Sequence, residues 1–111
     1  MDLFNKKCVP CEVGASPLRA EEIQKYLSHL APGWEIVEGK RIKKEWKFKN
    51  FKEAMAFVNN IAAIAEAEGH HPDIFVFYNI VRLELWTHAV GGLSENDFIL
   101  ATKIESTIPD S

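Results

Sequence analysis

Long apolar runs are missing from this chain, and none approaches the roughly 20 residues that a membrane-spanning helix needs. An excess of positive charge is missing as well. Lysine and arginine number 13 against 16 aspartate and glutamate residues, a formal net charge of −3, which argues against a nucleic-acid binder held by phosphate neutralisation. The first twenty residues are mixed polar and charged, without the apolar core of a secretory signal, so a soluble cytoplasmic protein is expected. Cysteine is scarce, with only Cys8 and Cys11 in a Cys-Val-Pro-Cys pair. Such a pair can be half of a zinc site or a redox dithiol. Zinc would need two more ligands, and no second Cys-x-x-Cys or His-x-x-x-His supplies them. A redox dithiol normally sits between a strand and a helix, whereas this pair lies in an irregular stretch. Two reduced thiols in a tethered arm are the expectation, with no metal site.

What is present is ordinary for one globular domain: 111 residues, 47% hydrophobic and 26% charged. Residues 1–19 show no sustained period and form an arm, leaving 20–111 as the domain. Ile23, Tyr26, Leu27 and Leu30 recur at helical spacing, predicting an amphipathic helix over Ala20–Leu30 that Pro32-Gly33 ends. His29 sits alone on it and reads as solvated. Trp34–Val37 and Ile42–Lys49 form a hairpin around Glu38-Gly39-Lys40, and the second strand alternates Ile42, Lys44, Trp46 and Phe48 against four charged residues. Its lysines read as a solvated strand face. Asn50 with Glu53 starts a long helix whose apolar stripe runs through Ala54, Val58, Ile61 and Ala65, and Gly69 stops it. Ile74–Tyr78, apolar on both faces, suits a central strand or one covered by another subunit. Val81–His88 alternates again, Gly91-Gly92 breaks it, and Ser94-x-x-Asp97 opens a last helix that carries Phe98, Ala101 and Ile104 inward. Hairpins separated by helices predict an α+β fold in the order α-β-β-α-β-β-α. A small sheet with an exposed edge also invites pairing with a second subunit.

Three of the four histidines fall between Glu66 and Asp97: His70 and His71 at a helix exit, and His88 at a strand end. Imidazole is the side chain that exchanges a proton near neutral pH. One histidine at a helix C-terminus is explained by the helix dipole alone. An adjacent pair followed by Pro72, with a third histidine ending a later strand, points to an acid–base pocket. Glu66 lies one helical turn before His70 and can share its face, as an orienting carboxylate or a substrate hydrogen-bond acceptor. Glu68 reads as a surface residue. Asp97 is accounted for by helix capping alone, and no carboxylate completes a metal site with the three histidines.

The ordered set Glu66-x-x-x-His70-His71-Pro72, Tyr78-Asn79 and Thr87-His88-x-x-x-Gly92-Leu93-Ser94-x-x-Asp97 resembles the signature of the pterin-4a-carbinolamine dehydratases. The similarity runs from about Leu18 to Ile104 and includes Gly33-Trp34, Phe48-x-x-Phe51 and Ala54, and the Cys-x-Pro-Cys arm resembles bacterial-type members. The resemblance implies a four-stranded antiparallel sheet with three helices on one face, assembled as homodimers or homotetramers. It implies dehydration of a 4a-hydroxytetrahydropterin to the quinonoid dihydropterin, without metal or cofactor, in support of an aromatic amino-acid hydroxylase. The matching catalytic positions are His70, His71 and His88. His70 and His88 are expected to share the acid–base roles, and His71 to hold and polarise the pterin. Glu66, Pro72, Trp86, Thr87 and Asp97 are the implied substrate-side residues. Trp86 departs from the smaller residue of many relatives, and stacking on a flat ligand or a subunit contact would each suit it. Two other functions stay open: an interaction or assembly protein of the same fold, and a dehydratase of a different, molybdopterin-related pterin.

Overall fold

The computed structural model describes residues 2–10 and 14–108. Its elements are α1 (Ala20–Leu27), β1 (Glu35–Val37), β2 (Arg41–Lys47), α2 (Phe51–Glu68), β3 (Asp73–Phe77), β4 (Ile80–Leu85), a 3-10 turn (His88–Val90) and α3 (Glu95–Glu105). The strands form one antiparallel sheet in the order β1-β2-β4-β3, with the three helices on one face. The expected α-β-β-α-β-β-α order and α+β class hold.

The two hairpins join through β2 and β4, where Ile42 lies opposite Leu85, Lys44 opposite Leu83 and Trp46 opposite Val81. Alternation decides which side is buried: Ile42, Val81, Leu83 and Leu85 are sealed from solvent against the helices. Lys44 breaks the apolar row, and its ammonium is satisfied by Glu105 on α3 and by the Pro32 carbonyl. The same Glu105 carboxylate accepts the indole N–H of Trp34 at 3.0 Å. β3 takes the outer edge, so its doubly apolar sequence does not mark a central strand. On the solvent face, the Arg82 guanidinium sits 4.5 Å from the ring centre of Phe75.

Helix α2 is capped as its sequence predicts. The Asn50 side chain accepts the Glu53 N–H at 2.9 Å, and Ala54, Phe57, Ile61 and Ala65 form the buried stripe. Helix α3 is more deeply buried than its pattern predicts, because it packs against both α1 and α2. Phe98, Ile99, Leu100, Ala101 and Ile104 are all at most 1% exposed. At about 1.5–3 kcal/mol for each large apolar side chain removed from water, this helix anchors the domain.

Three boundaries differ from expectation. Helix α1 stops at Leu27 and continues as turns. Tyr78, at φ 55°, belongs to the turn after β3 and not to the strand. Strand β4 ends at Leu85, so His88 lies beyond it in the 3-10 turn. The irregular N-terminal stretch is packed against the domain: Leu3 is 3% exposed within the core, and the Leu18 N–H donates to the Leu93 carbonyl at 2.8 Å. A side chain at Gly92 would press on Pro17, with its Cβ only 2.9 Å from that ring, so glycine permits this close approach. Of the expected thiol pair, Cys8 is half-buried and Cys11 lies outside the described residues. Among the described residues, no helix is long and apolar enough to cross a membrane.

Candidate active site

Helix α2 terminates at Gly69, whose φ of 66° and ψ of 26° are left-handed and open to glycine without strain. The reversal there splits the two histidines that follow. His70 turns inward, with its side chain 12% exposed, while His71 stays outside at 60%. Pro72 biases His71 toward an extended backbone and leads directly into β3.

Each histidine meets a carboxylate through Nε2. For His70 the partner is Asp97 Oδ1 at 2.6 Å, and for His71 it is Glu66 Oε1 at 2.8 Å. Glu66 therefore serves His71, although helical spacing alone allows it to face His70. Asp97 is fully buried, and its other oxygen accepts the Thr87 hydroxyl at 2.8 Å and the Ser94 N–H at 3.0 Å. The capping role expected of Asp97 is present, and the same carboxylate also fixes the His70 ring. An ionised carboxylate only accepts hydrogen bonds, so the proton belongs on His70 Nε2. In neutral imidazole that leaves Nδ1 as the unprotonated nitrogen, able to take a proton.

His88 is held differently. Its ring stacks on Trp86 with centroids 3.7 Å apart and planes at 28°, and the Trp86 indole N–H donates to Asp73 Oδ2 at 3.0 Å. Among the described residues, neither ring nitrogen of His88 has a hydrogen-bond partner. The three histidines line one cleft of about 370 Å³ together with Pro72, Trp86 and Thr87. That volume lies in the roughly 300–1,000 Å³ range of small-molecule sites. Glu66 and Asp97 do not line the cleft but stand behind His71 and His70. Among the described residues, no three histidine, cysteine, aspartate or glutamate side chains gather as a metal site would require.

Several residues at or beside the cleft carry no sequence signal. Val9 and Pro10 of the arm line it, as do Asp73 and Asn96. Glu68, read from sequence as a surface residue, has its side chain only 8% exposed. It accepts Lys103 Nζ at 2.7 Å and the Cys8 N–H at 2.9 Å. The bond from Lys103, then that from the Cys8 amide, hold its carboxyl below the usual carboxylate range. Burial, reinforced by the negative charge of Glu68, pushes the Cys8 thiol up to about 12. The shift disfavours the thiolate, which is the nucleophilic form of cysteine.

The sequence profile of the family described as pterin 4 alpha carbinolamine dehydratase matches residues 16–107, spanning all three helices, the sheet and every histidine of the cleft. The chain belongs to the pterin-4a-carbinolamine dehydratase family. Among its curated relatives, a Rickettsia canadensis protein is 50% identical over 106 residues, covering 96% of this chain and 97% of its own. A Nitrosospira multiformis protein is 52% identical over 105 residues, covering 95% and 91%. Both are named "Putative pterin-4-alpha-carbinolamine dehydratase". A crystal structure of a transcriptional coactivator/pterin dehydratase from Brucella melitensis superposes with a TM-score of 0.76 at 36% identity, over 82% of this chain and 97% of that one. A pterin dehydratase-like protein identified as a RuBisCO assembly factor in the alpha-carboxysome superposes at 0.57 and 21% identity, over 67% and 87%, and shares the fold alone.

Proposed function

We propose that the protein catalyses loss of water from a 4a-hydroxytetrahydropterin, giving the quinonoid dihydropterin. The reaction removes the proton from ring N5, breaks the C4a–O bond and protonates the departing hydroxyl, so one proton is accepted and one donated. His70 and His88 divide these two tasks, while His71, more exposed, holds and polarises the pterin. The observation that carries the reading is the buried His70–Asp97 pair. A carboxylate that no solvent reaches commits Nε2 of His70 and leaves Nδ1 for proton transfer. His88 complements it with a ring that makes no hydrogen bond among the described residues and is oriented only by Trp86. Pro72 and Thr87 complete the substrate side of the cleft, and Glu66 steadies His71. The family supports the reaction class. The biopterin side chain, service to an aromatic amino-acid hydroxylase and a cytoplasmic setting belong to the same proposal.

The β3 edge and the turn that follows it, with Phe77 50% and Tyr78 67% exposed, support a homodimer or homotetramer. The same exposed aromatics favour the second reading, an interaction or assembly protein, which would have no use for an oriented His70. A different pterin remains an outcome of the same test.

The test is the rate at which the purified protein dehydrates 4a-hydroxytetrahydropterin, followed by the absorbance of the quinonoid product and corrected for spontaneous loss of water. A rate well above background that collapses in the folded His70→Ala/His88→Ala double variant is expected. A wild-type rate no better than background would move the assignment to the interaction protein or to another pterin.

A further inference from the structure

Beyond the histidines, the cleft has a wall that comes from the N-terminal arm, at Val9 and Pro10. The wall is built in, not draped over the surface. Asn96, itself 5% exposed, pairs with both polar groups of the Val9 backbone: Oδ1 accepts the Val9 N–H at 3.0 Å, and Nδ2 donates to the Val9 carbonyl at 2.6 Å. One residue earlier, the Cys8 N–H is held by Glu68, which Lys103 holds in turn. Nearer the N-terminus, Lys6 pairs with Glu95 at 2.9 Å and Leu3 is buried in the core. These anchors fix the backbone up to and including Val9, yet leave the Val9 residue 63% exposed beside the cleft. An apolar side chain held rigidly in water at the rim of a binding cleft recovers its hydration cost only when something apolar covers it.

We propose that Val9, with Pro10 beside it, forms an apolar wall that packs on the ligand in the cleft, and that Asn96 is the positioning residue which holds Val9 in place. This rests on the dehydratase reading and extends it. The arm binds pterin and takes no part in the proton transfers. The wall therefore acts through affinity, in the ground state and transition state alike, and its loss raises KM while sparing kcat.

The experiment compares wild type with Asn96→Asp, Asn96→Ala and Val9→Gly in steady-state dehydration of 4a-hydroxytetrahydropterin, with circular dichroism to establish that each variant is folded. Asn96→Asp keeps the shape of the side chain but faces the Val9 carbonyl with an acceptor instead of a donor. Val9→Gly removes the valine side chain from the wall and leaves both backbone groups that Asn96 holds. The expected result is a KM raised about tenfold in the Asn96 variants and about threefold or more in Val9→Gly, with kcat within about twofold. Equal losses of kcat in folded Asn96 variants, or an unchanged KM in Val9→Gly, would overturn the wall while leaving the dehydratase standing. A wild-type rate at background would overturn the dehydratase reading and the wall with it.

Discussion

Two histidine–carboxylate pairs lie side by side at the end of α2, nearly equal in length and opposite in setting. His70 and Asp97 meet at 2.6 Å with side-chain exposures of 12% and 0%, whereas His71 and Glu66 meet at 2.8 Å with exposures of 60% and 79%. Distance alone would rank them together. Solvent separates them, because an exposed pair is screened and contributes about 0–1 kcal/mol, while a buried acceptor left without its partner costs considerably more. The inner pair also has a fixed geometry, since Asp97 is held by Thr87 and Ser94. Among the described residues, the Glu66 side chain has no hydrogen bond to a second group. An inner histidine of set orientation and an outer one open to solvent suit the two duties proposed for them.

The strongest way to break this comparison is to remove the two imidazoles in turn. His70→Ala is expected to lower kcat by about 10²–10⁴-fold, the usual worth of a positioned acid or base, while His71→Ala chiefly raises KM. The division of roles fails if His71→Ala abolishes turnover at saturating substrate while His70→Ala and His88→Ala keep it.

Removing the carboxylates sharpens the contrast at smaller scale. Asp97→Ala strips an acceptor from His70, Thr87 and Ser94 at once. Thermal unfolding is expected to report a loss of about 1–3 kcal/mol, together with a fall in kcat on the order of tenfold or more. Glu66→Gln is expected to stay within about 0.5 kcal/mol and about twofold in rate. Equal responses at the two positions would show that burial is not what distinguishes the pairs.

An effect on stability alone concerns Glu68, two residues from Glu66 and nearly buried where Glu66 is wet. Its carboxyl is held below the ordinary value of 4.5 in the folded state, first by Lys103. Such a group stabilises the fold above its unfolded pKa, and the contribution is lost as pH falls through the folded value. Glu68→Gln should therefore melt below wild type at pH 7, by about 1 kcal/mol, with the gap narrowing over the acid range below the ordinary carboxylate value of 4.5. A gap that stays constant across that range would remove the ion pair from the explanation.

Local pattern makes most of the fold readable. Asn50 and Gly69 mark both ends of α2, and the alternation through Ile42 and Trp46, like that through Val81 and Leu85, identifies the inward rows. The joining of the two hairpins through β2 and β4 is not legible, because strand pairing across an intervening helix leaves no local trace. In the site, the spacing around His70, His71 and His88 is informative, and the two-residue period explains why Trp86 and His88 come together. The partnership of Asp97 with His70 spans 27 positions and hides behind a sufficient local reason, helix capping. Helical spacing points Glu66 at His70, but the turn at Gly69 ends the helical register and brings His71 to it instead. The arm is opaque for a similar reason. Hydrogen bonds to Asn96 and Glu68, 87 and 60 positions away, give Val9 and Cys8 their places without any periodic pattern.

The double duty of Asp97 has a consequence for how this protein's variants would be sorted. Its carboxylate closes the first turn of α3 and orients His70 through different oxygens, so under the proposed mechanism a single substitution strikes folding and chemistry together. A screen scored by cellular abundance would class Asp97 as a core residue, and one scored by turnover would class it as part of the reaction. Each classification would be half right. Only a measurement of activity per folded molecule separates the two roles that one side chain carries.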